Sequence, residues 1–350
     1  MRIRLLASLF LLAALPTIGA AQENLNPTNS YKVLDTTKVG GAGGWGYIYA
    51  DADNRRLYVP RTGTGAAGRI TVFDLDTLKP AGTVAGISAH AVAIDPKSNH
   101  GFAASKPVAM FDTQTLKPIK NIAVQGTADF VAFDAFKERV YVLSAAGKNA
   151  TVLDGTDGSV LGTIDLGGNP SQAISDGQGR VYVTISDTDE VAVIDADKMT
   201  VTARYDLDGV GAGPRGIALD AKDGDLFVSC DNATMVYLSA KDGKFIYALP
   251  IGVGADAVAY NPTTAEIFSA QDQGTLTVSK VSNPTNFAMS GDVETMQGAK
   301  NVAFDSKTSK LFLVAAKYVP VKNPGTSTPA ELLKRGAVVP NSLSIITVGQ

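Results

Sequence analysis

The sequence predicts an all-β chain, a seven-bladed β-propeller of four-stranded blades whose ring is closed in the last blade by an N-terminal strand. Three observations carry this. A unit of about 42 residues recurs seven times, each unit reads as short strands parted by turn residues, and no long amphipathic helical pattern interrupts them.

The clearest unit runs from Asn169 to Asp208. Its segments Gln172–Ser175, Arg180–Ile185, Glu190–Asp195 and Thr202–Leu207 are rich in Val, Ile and Tyr and are separated by Asp-Gly, Gly and Asp-rich breakers of the hairpin kind. Near the first strand of every unit an acid or its stand-in recurs, at Asp51, Asp95, Asp134, Asp176, Asp220, Asn261 and Asp305, with spacings of 44, 39, 42, 44, 41 and 44. After each anchor come a short turn and a second strand: LYV at Leu57, GFA at Gly101, VYV at Val140 and Val181, LFV at Leu226, IFS at Ile267 and LFL at Leu311. A third strand follows as ITVF, VAMF, ATVL, VAVI, MVYL and LTV, and in the seventh unit only after a long interruption, as LSIITV from Leu343. The blades so delimited span about 44–87, 88–126, 127–168, 169–211, 212–254, 255–297 and 298–350, within one domain, 22–350.

The seventh unit stops one strand short. Tyr31 to Val39 resembles a fourth strand such as VLGTIDL at Val160 and precedes the first unit, so it is expected to complete the last blade and remove an open sheet edge. The interruption, Tyr318 to Asn341, holds Pro320, Pro324, Pro329 and Pro340. Within it the run from Thr328 to Gly336 carries the signals of a short helix, with a Thr cap, Pro in the first turn and Glu331 at capping-box spacing. It is expected to leave from the binding face, as a lid, a partner contact or a plain surface excursion.

Residues 1–21 have the pattern of a Sec-type signal peptide: Arg2 and Arg4, an apolar run from Leu5 to Leu15, and small residues at Gly19, Ala20 and Ala21. A membrane anchor would need roughly 20 apolar residues, more than the run supplies. The expected location is therefore the periplasm or the exterior. Cleavage takes two of the 31 basic residues and none of the 34 acidic ones, leaving a balance of about −5. Such a surface disfavours nucleic acid as a partner, because backbone binding needs a basic face. Cys230 is the only cysteine, so no intramolecular disulfide is available and the core alone must hold the fold.

In a propeller the first strand of each blade lines the channel, and the chain enters it on the face shared with the loops joining strands two and three. Five residues before each anchor stand Gly46, His90, Asp129, Ser171, Arg215, Asp256 and Lys300. Five of these seven can ionise, and the positions two and four residues further on are mostly apolar. His90, Asp129, Arg215, Asp256 and Lys300 are thus the candidate ligand-binding ring, since convergent polar groups in a concavity are the default site. The alternative is that they are solvated or pair with one another. Arg61 joins them from a loop after a second strand. Trp45 and Tyr47 stand in a glycine-rich turn, where an aromatic either stacks on a flat ligand or wedges between the first and last blades.

Several chemistries find no support. Gly41–Gly46 and Gly63–Gly68 match G-x-G-x-x-G but open no helix, and Walker, G-x-S-x-G and C-x-x-C-H motifs are absent. One tryptophan cannot make a two-tryptophan quinone, and no cofactor is expected. His90 with Asp129 and Asp256 is a weak set for a hard cation, and no metal is expected. His90 is the single candidate for a general base or acid, without a recognisable nucleophile or oxyanion hole.

The run GGWGYIYADADNRRLYV, the strands RVYVTI and EVAVID, the Gly-Gly-Asn-Pro turn at Gly167 and the closing VPNSLSIITVG together resemble the YVTN-repeat, or YncE-like, exported β-propellers. The likeness covers essentially all of the chain after residue 21. It departs in detail, with YVPR, YVLS and YVTI in place of the tetrapeptide and the Pro before the first strand kept only as Pro170 and Pro214. The resemblance implies architecture rather than one activity. The leading expectation is a monomeric, noncatalytic binding or scaffold propeller that recognises a small polar ligand, a peptide or a partner protein of the periplasm. A lactonase-like hydrolase or lyase on the same face is the alternative, followed by a cofactor-associated electron-transfer subunit or a DNA-binding propeller.

Overall fold

The computed structural model describes residues 30–207, 209–283, 286–321 and 336–350; the expected signal peptide and the body of the expected helix, up to residue 335, lie outside them. Seven four-stranded antiparallel sheets form the seven blades. In the fourth the strands Pro170–Ser175, Arg180–Ile185, Glu190–Asp195 and Thr200–Asp206 are hydrogen-bonded in that order.

The seventh blade is built from both ends of the chain. Its order is Val302–Asp305, Lys310–Ala315, Ser344–Gly349 and finally Lys32–Lys38. Lys32 pairs with Gly349 and Lys38 with Ser344. The Tyr31 ring packs edge-on to Phe268 at 5.0 Å, and its hydroxyl donates to Glu266 in the sixth blade at 2.7 Å. The closure expected from the sequence is present.

The recurring anchor has a local cause. Asp95, Asp134, Asp220 and Asp305 are buried, and each accepts backbone N–H groups of the turn that follows, such as Lys97 N at 2.9 Å and Lys307 N at 3.1 Å. Every one of these turns ends on a left-handed residue immediately before the second strand: Arg55, Asn99, Glu138, Gly179, Gly224, Ala265 and Ser309. That geometry matches the twist of the hairpin, and the carboxylate cap offsets its strain at the non-glycine positions.

The core is divided rather than central. Seven apolar clusters occupy the seven gaps between neighbouring blades. One large ring per second strand fills each of them: Tyr58, Phe102, Tyr141, Tyr182, Phe227, Phe268 and Phe312, none more than 2 % exposed. The residue that opens the second strand latches one blade to the next, through Arg56 to the Thr113 carbonyl, Arg139 to that of Ala196 and Arg180 to that of Ala240. His100 sits at the same position, with Nδ1 3.3 Å from the Gly155 carbonyl, so its setting is a blade junction away from the channel mouth.

Cys230 is fully buried, and burial pushes its thiol up to about 12. Burial also pushes Tyr49 and Tyr141 up to about 12, and raises Tyr31, Tyr58, Tyr237 and Tyr260 further. The unfolded chain ionises these groups first, so it binds fewer protons than the folded one. Stability is therefore expected to fall as pH rises from about 9 towards 12. Arg61, held down to about 10 by burial, acts in the opposite sense but is one group against seven. Urea denaturation at stepped alkaline pH checks this, and a midpoint that holds steady through that window would contradict it.

Candidate binding face

The chain enters each first strand on the same face as the loops joining strands two and three. Backbone bonds tie the two together, from His90 N to the Ala104 carbonyl (2.9 Å), Ser186 N to that of Asn169 (2.9 Å), Asp231 N to that of Gly213 (3.0 Å) and Asp272 N to that of Gly254 (2.9 Å). Gly46 has to be glycine here: a Cβ on it would lie 2.0 Å from the His90 carbonyl oxygen. That close approach lets Tyr47 N donate to the same carbonyl at 2.7 Å and aims its side chain inward.

Asp256 is the hub of the mouth. It is 7 % exposed; Oδ1 accepts from the Tyr47 hydroxyl at 2.6 Å, Oδ2 pairs with Lys300 Nζ at 2.7 Å, and its carbonyl takes Gln172 Nε2 at 3.0 Å. These contacts join the first, fourth, sixth and seventh blades. The Tyr47 ring also meets Phe130 of the third blade edge-on, at 5.3 Å and 83°. Burial, and secondarily the Asp256 charge, hold the Tyr47 phenol far above its ordinary value, so it stays a proton donor.

Beneath this plate lies an apolar channel. Two lobes of about 390 Å³ each share Tyr47, Ile48, Tyr49, Phe130, Ala173 and Ile174. The positions two and four residues beyond the ring line it, among them Val258 and Val302, then Phe133, Tyr260 and Phe304.

The ring residues are separated by this geometry. Arg215 forms a two-pronged pair with Asp231, Nη2 to Oδ2 at 2.7 Å and Nε to Oδ1 at 3.1 Å, with both partners partly exposed. Asp129 Oδ2 accepts Ala145 N at 2.8 Å and so braces its own loop. His90 is exposed, and its imidazole has no hydrogen-bond partner among the described residues. Asp129 and Asp256 do not converge with it: among the described residues no three His, Cys, Asp or Glu side chains group as a metal site.

One candidate, Arg61, sits elsewhere than the sequence suggested, and Trp45 takes the wedge, one of the two settings the sequence allowed it. Arg61 is 2 % exposed and donates to five carbonyls: Nε to Gly44 at 2.9 Å, Nη1 to Gly40 at 3.0 Å, and Nη2 to Gly41, Ala42 and Gly43 at 3.0–3.1 Å. It is the frame of the glycine loop, not an open contact. Trp45 packs against the cluster between the first and last blades, beside Phe312 and Ile345. Sequence reasoning missed Gln172, and it left Tyr47 beside the mouth rather than across it. The signal for Tyr47 was the glycine in front of it, the only uncharged, side-chain-free member of the ring.

The interruption of the last blade does rise from this face. Its base is a two-stranded ribbon, Tyr318–Val319 paired with Ala337–Val338. Between the ribbon's return segment, Val338 to Leu343, and the glycine loop with Trp45 and Arg61 lies a second cavity of about 350 Å³.

No family model matches the sequence, and no curated protein is found similar to it. Solved structures are similar in fold. The RRP9 WD40 repeats align with a TM-score of 0.71 at 11 % identity over 90 % of this chain and 98 % of theirs. A chain of the mitotic checkpoint complex gives 0.69 at 12 % over 89 % and 96 %. A chain of Kuenenia stuttgartiensis hydrazine synthase gives 0.66 at 16 % over 77 % and 92 %. The likeness is one of architecture. One of these neighbours belongs to an enzyme and another to a regulatory complex, so the shared fold does not choose between them.

Proposed function

We propose that this chain is an exported, monomeric propeller of the YVTN-repeat kind that works by binding, taking a small polar ligand, a peptide or a partner protein on the face around Asp256. The observation that carries the reading is the pairing at the rim. Arg215 lies against Asp231 in a partly exposed pair, and such pairs are worth only about 0–1 kcal/mol, while Lys300 reaches the same rim from its pair with the buried Asp256. A ligand anion can therefore replace Asp231 on Arg215 at small cost, while the loop acids offer acceptors for its donors. The resemblance in fold to the RRP9 WD40 repeats and to a checkpoint-complex chain supports a recognition role by analogy only.

The hydrolase or lyase reading keeps one observation, the unpartnered, exposed imidazole of His90. A thermal-shift screen of the protein from residue 22 onward against polar metabolites, peptides and divalent cations tests both. Ligands are expected to raise the melting point of the parent but not of a variant combining Arg215→Ala, Lys300→Ala and His90→Ala. If parent and variant respond alike, the rim is ordinary surface. Should His90→Ala alone reduce turnover of any substrate by about 100-fold, the enzymatic reading replaces the binding one.

A further inference from the structure

The channel beneath the rim is a second place where a molecule fits, and the side chain that closes it describes that molecule. Tyr47 lies across the bore with its ring edge-on to Phe130 and its hydroxyl on Asp256 Oδ1 at 2.6 Å, and it lines both lobes of the space below. That space continues beyond the ring. Its walls are aromatic and aliphatic, with Tyr49, Phe133, Tyr260 and Phe304 around the far half. Besides the tyrosine hydroxyls, Gln172 and Ser175 are the polar side chains of the walls, and the Asp256 carboxylate stands behind the Tyr47 hydroxyl. A largely apolar chamber of some hundreds of Å³ with a few placed polar groups is the usual build of a small-molecule pocket, and aromatic walls favour an aromatic guest.

We infer that the channel binds a small aryl alcohol or phenol, whose ring takes the place of the Tyr47 ring against Phe130 and whose hydroxyl takes over Asp256 Oδ1. Tyr47 is the placeholder that keeps Asp256 satisfied and the chamber closed when no guest is present. Among the described residues its hydroxyl is the one donor on that oxygen, while Lys300 holds the other, so the exchange replaces one hydrogen bond by another of the same kind. Rotation about the Cα–Cβ bond of Tyr47 opens the bore. The backbone need not follow, because Arg61 fixes the carbonyls of Gly40 to Gly44 just before it. The guest's body then enters the chamber, where apolar surfaces lose water and gain contacts.

The probe is p-cresol, with toluene as the control of equal shape that lacks the donor, measured by equilibrium dialysis and by thermal melting of the full chain. The parent is expected to bind p-cresol at least tenfold more tightly than toluene, since a hydrogen bond to a charged acceptor discriminates by that much. Tyr47→Ala removes the placeholder and is expected to tighten p-cresol binding by about tenfold or more. Tyr47→Phe keeps the ring but loses its hold on Asp256; it is expected to fall between the two, and it serves if the alanine variant does not fold. Absence of p-cresol binding by the parent overturns the inference, even where Tyr47→Ala binds it, because Tyr47 is then a permanent plug. Equal affinity in all three overturns it as well, by placing the probe elsewhere. The chamber meets the rim at Tyr47, Gln172 and the Asp256 they hold, while Arg215, Asp231 and His90 lie outside its lining, so the two can fail separately. Polar ligands on Arg215 without p-cresol binding leave the rim standing, and p-cresol binding with an empty polar screen leaves the chamber.

Discussion

Deleting Tyr31 to Val39 is expected to destabilise the protein by about 5 kcal/mol or more and to make it aggregate. The loss has three sources. Tyr31 gives up a buried ring and its bond to Glu266, worth about 2–3 kcal/mol. The six register pairs from Lys32–Gly349 to Lys38–Ser344 lose their ladder. The strand Ser344–Gly349, buried along its whole length, becomes an open apolar edge of the kind that pairs with other chains. Guanidinium denaturation with light scattering measures both effects. A deletion variant with the parent's midpoint and the parent's size would show that the seventh blade holds with three strands.

Arg61→Ala is expected to be the most damaging single substitution, at about 3–5 kcal/mol. A lone buried cation is ordinarily prohibitive, yet here five carbonyl dipoles converge on one guanidinium. Removing it leaves those carbonyls facing one another without the donors that held them. Arg61→Lys is expected to recover little, because an ammonium has three donors and no planar fork. The melting temperatures of the two variants decide this. If both match the parent, the glycine loop holds without its frame.

The fold was legible because it is repetitive. Seven copies of one pattern, from Asp51 to Asp305, carry the same message seven times, and a misreading in one blade is corrected by the others. The face was legible for the same reason, since the ring from Gly46 to Lys300 follows from counting back from each anchor. What sat at each ring position could be named, but not what it touched. Asp256, Lys300, Tyr47 and Gln172 come from four blades, and their meeting depends on the diameter of the bore and on side-chain rotamers that no periodicity encodes. Arg61 misled because its position in the repeat is that of an open loop residue. The glycines opposite it, Gly40 to Gly44, gave the contrary clue: a stretch of bare carbonyls needs a donor. The helix signalled near Thr328 falls outside the described residues up to 335.

The pairing of Lys32 with Gly349 bears on how the ring comes to exist. Six blades can form in order as the chain emerges, each from local hairpins, but the seventh must wait for its last-made strand to find the first-made one. That step closes the longest loop available to the chain and is expected to be the slowest part of assembly. It also leaves the two ends side by side, so the join is movable. A circular permutant that links Gln350 to Tyr31 and opens the chain at another blade boundary would keep every contact of the ring while shifting which blade is completed last.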